Sequence, residues 1–297
     1  MVETNREPRS RTTAGTRRGC LVAIALVVGF LLLALLAPRI GTIAGGEGVG
    51  VVRLTGEILD SGEVLEDLEK LADDPAVRAL VVRIDSPGGV VGASQEIYSG
   101  IKRTSEETGK PIVASFGDVA ASGAYYAACA ADSVFANAGT LTGSIGVIME
   151  LPDIGRVLEK IGVRVQVVKS GAFKDMGSPY RDMTKEERQL LQGVIDDTYE
   201  QFVDAVATGR RIPRAKVLAV ADGRVLTGRQ ALALGLVDRL GDLEDAVRTA
   251  GRMADIEGEP RQIHRKHHRW PWDTLEERWV GVERRALTGP RLLYRIP

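Results

Sequence analysis

Pro111-Ile-Val-Ala-Ser-Phe-Gly-Asp-Val-Ala-Ala-Ser122-Gly-Ala-Tyr-Tyr-Ala-Ala-Cys-Ala-Ala-Asp132 decides how the rest of this chain is read. A short β-branched run at 112–116 meets a Gly-Asp break, and an Ala-rich helical segment then opens at Ser122-Gly123. Strand, turn and helix in that order place Ser122 at a helix N-terminus. Two roles fit a serine there. It caps the helix by accepting a backbone N–H bond, or it is a nucleophile held at the end of a sheet.

The same alternation extends in both directions. Strands are expected at 51–54, 79–84, 112–116, 133–136 and 163–168, and helices at 61–72, 90–108, 123–131 and 153–160. The run at 79–84 is almost continuously apolar, as in a parallel strand covered on both faces. Repeated βαβ units imply right-handed crossovers and an α/β layered domain. Beyond Lys174 the character turns helical. Thr184-Lys185-Glu186-Glu187 is a capping box that opens a helix to about residue 208, with Leu191, Ile195, Phe202 and Val206 on one face. Pro213 breaks that pattern, Thr227-Gly228-Arg229-Gln230 repeats the box, and 242–252 carries a last helix.

Outside this domain, 1–18 is polar and carries Arg6, Arg9, Arg11, Arg17 and Arg18 against Glu3 and Glu7. Residues 19–37 have no charged side chain and are long enough to cross about 30 Å of hydrocarbon as a helix. The charge bias keeps the N-terminus cytoplasmic and puts the chain beyond Arg39 outside. A cleaved signal peptide is the competing reading, but its apolar core is usually shorter. Residues 38–49 read as a Gly-rich linker, 50–258 as the globular domain, and 259–297 as a basic tail holding Trp270, Trp272 and Trp279. That tail either lies in a headgroup layer or is a loose or subunit-contacting extension.

With 39 basic and 40 acidic residues, a net charge of −1 gives no electrostatic reason to expect nucleic acid. Two cysteines, Cys20 at the membrane edge and Cys129 in the Ala-rich helix, exclude a disulfide framework within the domain. Cys129 reads as a small buried residue. All three histidines, His264, His267 and His268, lie in the tail. A Ser-His-Asp triad, a Cys-His dyad and a His-ligated metal site are therefore excluded from 50–258. Ala120 and Ala124 also occupy the two glycine positions of a G-x-S-x-G elbow. If Ser122 is a nucleophile, its base is a carboxylate or a lysine.

Lys174 is the lysine candidate, with Ala172, Phe173 and Met176 as apolar neighbours that would desolvate it. The alternatives are a solvated surface charge, or an ammonium held charged by Asp175. Asp85-Ser86-Pro87-Gly88-Gly89-Val90 follows the apolar strand, and its paired glycines allow backbone N–H groups to approach a substrate carbonyl. An ordinary strand-to-helix turn would have the same composition.

Four linked stretches carry a resemblance. They are Asp85-Ser86-Pro87-Gly88-Gly89, Gly117 through Tyr126, Leu141-Thr142-Gly143-Ser144-Ile145-Gly146-Val147, and Ser170-Gly171-Ala172-Phe173-Lys174-Asp175 with Ser178-Pro179 and Arg181-Asp182-Met183-Thr184. In this order they resemble the bacterial signal peptide peptidase A family, in its shorter single-domain branch, over roughly residues 50–252. The resemblance implies a Clp-protease/crotonase-like α/β fold and a membrane-anchored Ser-Lys serine endopeptidase that acts outside the cytoplasm on peptides such as signal-peptide remnants. By the same resemblance Ser122 would be the nucleophile and Lys174 the general base. Gly88, Gly89 and Gly123 would supply oxyanion or substrate contacts, and Ser144 would orient the lysine. No metal or cofactor is implied, and the partners are peptide substrates, the membrane, and neighbouring copies in a homo-oligomeric ring with shared sites. The rivals are a related Clp-class membrane protease acting on other membrane proteins, an idle scaffold that binds hydrophobic peptides, and a crotonase-type acyl-CoA enzyme. The last would find little CoA outside the membrane.

Overall fold

The computed structural model describes residues 46–265 and 292–295. The apolar run 19–37, the segment before it, Cys20, and the tail's tryptophans, His267 and His268 lie outside the described residues. Among the described residues no helix is long and apolar enough to cross a membrane.

The protein is α/β, with a mixed, mostly parallel sheet. Its strands are β1 (Gly48–Thr55), β2 (Val77–Ser86), β3 (Gly88–Val90), β4 (Ile112–Ala121), β5 (Ser133–Ala136), β6 (Leu141–Gly143), β7 (Ile148–Met149), β8 (Val225–Thr227), β9 (Arg239–Leu240), β10 (Arg261–Ile263) and β11 (Leu292–Arg295). Eight of them form the main sheet in the order β10-β1-β2-β4-β5-β9, with β6 on β4 and β8 on β6. Only the β6–β8 pairing in that sheet is antiparallel. A second, three-stranded sheet runs β3-β11-β7.

Strand residues alternate between two apolar layers, as a period of two demands. Val49, Val51, Ala79, Val81, Val113 and Phe135 face Ala246, Val247 and Ala250 of the helix Leu243–Met253. Val52, Leu54, Leu80, Val82, Ile84, Ala114 and Phe116 face the other layer. There the helices are α1 (Gly62–Asp73), α2 (Val91–Thr108), α3 (Gly123–Ala128) and the second half of the helix Lys185–Gly209. Both faces are thus covered, which is why β2 reads as a continuous apolar run.

Three expectations change. β4 does not stop at Phe116 but continues through the Gly-Asp break to Ala121. At that break the strand changes partners: Val113–Ser115 pair with β5, and Val119–Ala121 pair with β6. The Asp85 carboxylate accepts the Val119 N–H at 3.1 Å and braces the transition. α3 ends at Ala128, earlier than the Ala-rich composition suggests. Residues 163–168 form no strand. Val163, Val165 and Val167 alternate correctly, but the segment pairs with no strand of the described residues and Val168 is fully exposed. A β-pattern without a partner lacks the ladder bonds that hold a strand.

The capping boxes behave as read. Thr184 accepts the Glu187 N–H while Glu187 accepts the Thr184 N–H, and Thr227 and Gln230 do the same. The long helix buries its apolar side chains through its second half, at Phe202, Val203, Ala205 and Val206 with Thr198, while in its first turn Glu187 is buried. Its first half leaves Leu190 and Val194 exposed.

Candidate active site

β4 carries Ser122 to the end of the main sheet. The residue has φ 55° and ψ −121°, a region that a side chain with a Cβ rarely adopts. Such strain costs about 1–3 kcal/mol and persists only where surrounding contacts hold it. Here the Ser122 N–H donates to Gly143 O at 2.8 Å, its carbonyl accepts from Tyr126 N at 2.8 Å, and Tyr125 anchors the following helix by donating its hydroxyl to Leu236 O at 2.8 Å. The Ser122 side chain is buried and does not cap the helix, and its Oγ has no hydrogen-bond partner among the described residues. The capping role is therefore excluded. A buried hydroxyl without a partner is disfavoured unless something uses it. The strained strand-to-helix elbow exists although Ala120 and Ala124 replace its usual glycines, because β3 leaves room for it.

Gly88, with φ +97°, is pressed against that elbow. A Cβ on it would stand 2.7 Å from Gly123 N, 3.0 Å from Ala121 O and 2.1 Å from Tyr294 O. Gly123 is as tight: a Cβ there would meet Ser94 Oγ at 2.3 Å. The two glycines let the backbones on either side of Ser122 come together, and Gly123 opens α3, where first-turn N–H groups have no partner within the helix. Gly89 continues β3 alongside. The structure thus gathers Ser122, Gly88, Gly89 and Gly123 in one place.

Ser144 stands next to this group. β6 pairs with β4 so that Gly143 lies opposite Ala121, and the following residue, Ser144, is buried with φ 50°. It lines a cavity of about 410 Å³ together with Val147, Ile148, Ile195, Tyr199 and Asp222.

Lys174 is placed differently. It is exposed and does not hydrogen-bond Ser122 Oγ within the chain. Asp175 makes no ion pair with it either. The Asp175 carboxylate is occupied by Lys169 at 2.5 Å and by Arg181 at 2.9 Å, and Arg181 also bridges to Glu187. The Arg181 guanidinium, then Lys169, keep the Asp175 carboxyl well below the usual range. Arg181, followed by the Thr184 N–H, holds Glu187 at about 2. Lys174 itself makes no ion pair among the described residues. Cys129 is buried, which pushes its thiol up to about 12 and leaves it no thiolate at neutral pH.

Sequence reading quotes Arg181 within a motif but gives it no role, which its two carboxylates now supply, and it misses Tyr294 altogether, since a residue fully buried against Gly88 and Gly123 has no local signal.

The mixed, mostly parallel sheet thus ends in a strained, buried serine whose hydroxyl has no partner among the described residues and which has glycines packed on either side, the arrangement of a candidate serine nucleophile. The chain belongs to Peptidase family S49, which matches residues 104–257. It is 48% identical over 220 residues to "Putative protease slr0021" of Synechocystis sp., covering 74% of this chain and 75% of that one. To "Putative signal peptide peptidase SppA" of Enterococcus faecium it is 37% identical over 218 residues, 68% of this chain and 63% of that one. To "Serine protease SPPA, chloroplastic" of Arabidopsis thaliana it is 36% identical over 208 residues, 70% of this chain and 30% of that one. The chain spans less than two thirds of the length of the last two.

Proposed function

We propose that this chain is a membrane-anchored serine endopeptidase of Clp-protease/crotonase-like fold that cleaves membrane-derived peptides such as signal-peptide remnants. The observation that carries the reading is Ser122: a strained elbow, a buried hydroxyl without a partner, and glycine amides on both sides. In this reading Ser122 Oγ attacks the scissile carbonyl and passes its proton to the neutral amine of Lys174. The N–H groups of Gly89 and Gly123 hold the oxyanion, and the φ of Gly88 lets them approach. The lysine ammonium then protonates the leaving amine. Water, deprotonated by the same amine, hydrolyses the acyl ester and frees the serine.

The lysine comes from a neighbouring copy. Two features support this: Ser122 Oγ has no partner among the described residues, and Lys174 lies on a segment with exposed valines at 163, 165, 167 and 168. A heterologous interface repeated around a ring would bring one protomer's Lys174 to the next one's Ser122 and Ser144, and bury those valines. Desolvation at such an interface is the physical means by which an ammonium gives up its proton. The run 19–37 would anchor the chain with its N-terminus cytoplasmic and the peptidase outside. The signal-peptide preference rests on the motif resemblance and on the name of the Enterococcus relative.

The test is hydrolysis of a synthetic signal peptide by the full chain in detergent, beside Ser122→Ala. Equal activity in the two proteins would sink the reading. Cleavage of intact membrane proteins in preference to the peptide would keep the chemistry and replace the substrate class.

A further inference from the structure

One short stretch of chain grips β4 on either side of Ala121. Thr142 of β6 donates its hydroxyl to Ala120 O at 2.7 Å, and the next residue, Gly143, accepts the Ser122 N–H at 2.8 Å. Just before β6, Thr140 donates its hydroxyl to Gly117 O at 2.7 Å, while the same oxygen accepts the Asn137 N–H at 3.1 Å. Both threonines are buried. A β-branched side chain suits a strand, but a strand does not require its hydroxyl.

These contacts fall where β4 has least support. On one edge its pairing with β5 ends at Ser115 and its pairing with β6 starts at Val119. On the other edge the register slips, so that Ile84 is opposite Phe116 but Ser86 is opposite Ala120. Gly117 and Asp118 therefore stand opposite no residue of a neighbouring strand among the described residues. Extra residues bend a strand and leave backbone groups to be satisfied by other means. Side chains supply them here. Arg83 donates to Phe116 O at 2.7 Å, Thr140 closes Gly117 O, and Asp85 accepts the Val119 N–H at 3.1 Å.

We propose that Thr142 is a positioning residue for Ser122, supported by Thr140, and that the two hydroxyls clamp the bent end of β4 to β6 so that the serine is delivered in its strained conformation. Its consequence for catalysis rests on the reading of Ser122 as nucleophile, whereas the clamp itself does not. A left-handed φ on a residue with a Cβ persists only where the surroundings over-determine it. Thr142 and Gly143 hold Ala120 O and Ser122 N to one strand, so the peptide planes on either side of Ala121 are fixed together. Without the Thr142 hydroxyl one anchor remains, and Ser122 relaxes away from the geometry of attack. A displacement of about 1 Å at a reacting atom costs on the order of a hundredfold in rate. Thr142 is fully buried and touches no substrate, so the loss falls on kcat and leaves KM as it is.

The test uses the full chain and three variants. Thr142→Val keeps the shape and removes the hydroxyl, Thr142→Ser keeps the hydroxyl, and Thr140→Val removes the supporting bond. Hydrolysis of a synthetic signal peptide is measured beside amide exchange. Thr142→Val is expected to lower kcat about tenfold or more at unchanged KM. It should also speed exchange at Ser122 while Val81 and Val113, in the middle of the sheet, stay as protected as before. Thr142→Ser is expected to match the native protein, and Thr140→Val to show the same pattern more weakly. Native kcat in Thr142→Val, an equal loss in Thr142→Ser, or a rise in KM in place of the fall in kcat would overturn the proposal. Faster exchange throughout β2 and β4, or unfolding of both valine variants, would overturn it too, since the hydroxyls would then serve the fold alone. If exchange at Ser122 responds as expected but no form hydrolyses any peptide, the clamp stands, and the reading of Ser122 is what falls.

Discussion

Ser122 and Ser144 stand just beyond the matched ends of two paired parallel strands. Ala121 lies opposite Gly143, the Ser122 N–H donates to Gly143 O at 2.8 Å, and both serines have a left-handed φ, 55° and 50°. Two strained non-glycine residues side by side mark this end of the sheet as the place where packing holds the backbone against its local preference. Neither strain would survive without the β4–β6 pairing.

Ser122→Ala and Lys174→Ala should each lower peptide hydrolysis by on the order of a thousandfold or more while leaving the fold intact. Lys174→Arg should be as inactive, since guanidinium does not deprotonate in a protein. Rates beside circular dichroism spectra check this, and an active Lys174→Ala protein would remove the lysine from the mechanism.

Co-expression of Ser122→Ala with Lys174→Ala should restore part of the activity. In a random mixture roughly a quarter of ordered interfaces join the intact serine of one variant to the intact lysine of the other. If verified mixed oligomers stay inactive, serine and lysine belong to the same subunit.

The Arg181 bridge should fix the segment that carries Lys174. Glu187 is depressed from 4.5 to about 2 when folded, chiefly by Arg181. A carboxyl with a depressed folded value stabilises fully above its unfolded value, and that contribution fades as pH falls from about 4.5 towards 2. Proteolytic nicking within 163–174 should therefore be slow at neutral pH and rise only in acid. Glu187→Gln should be nicked readily at pH 7 and lose about tenfold in hydrolysis. Identical nicking profiles for the two proteins would show that the bridge does not order the segment.

Gly88→Ala combines a positive φ with a backbone clash and should destabilise by about 1–3 kcal/mol or more, as well as abolish activity. Gly139, whose Cβ would meet nothing within 4 Å, is the control: Gly139→Ala should change urea stability little. Equal unfolding midpoints would mean that β3 yields without cost.

Acid–base arithmetic and local pattern were legible in the chain itself. The absence of histidine from 50–258, the capping boxes at Thr184 and Thr227, the short apolar runs of β1, β2 and β4, and the four linked motifs are each written in a few neighbouring residues. Such signals need no knowledge of the rest of the molecule. The tertiary structure decided what depends on residues far apart in sequence. It showed that Ser122 is strained and leaves its helix uncapped, because β6 and β3 close around it. It showed that Asp175 serves Arg181 and Lys169 and leaves Lys174 alone. It removed the expected strand at 163–168, since a β-pattern becomes a strand only where an edge receives it. It also seated Tyr294 beside the elbow, a placement fixed by contacts with Gly88, Gly123, Tyr126 and Phe202 that no stretch of the chain contains by itself.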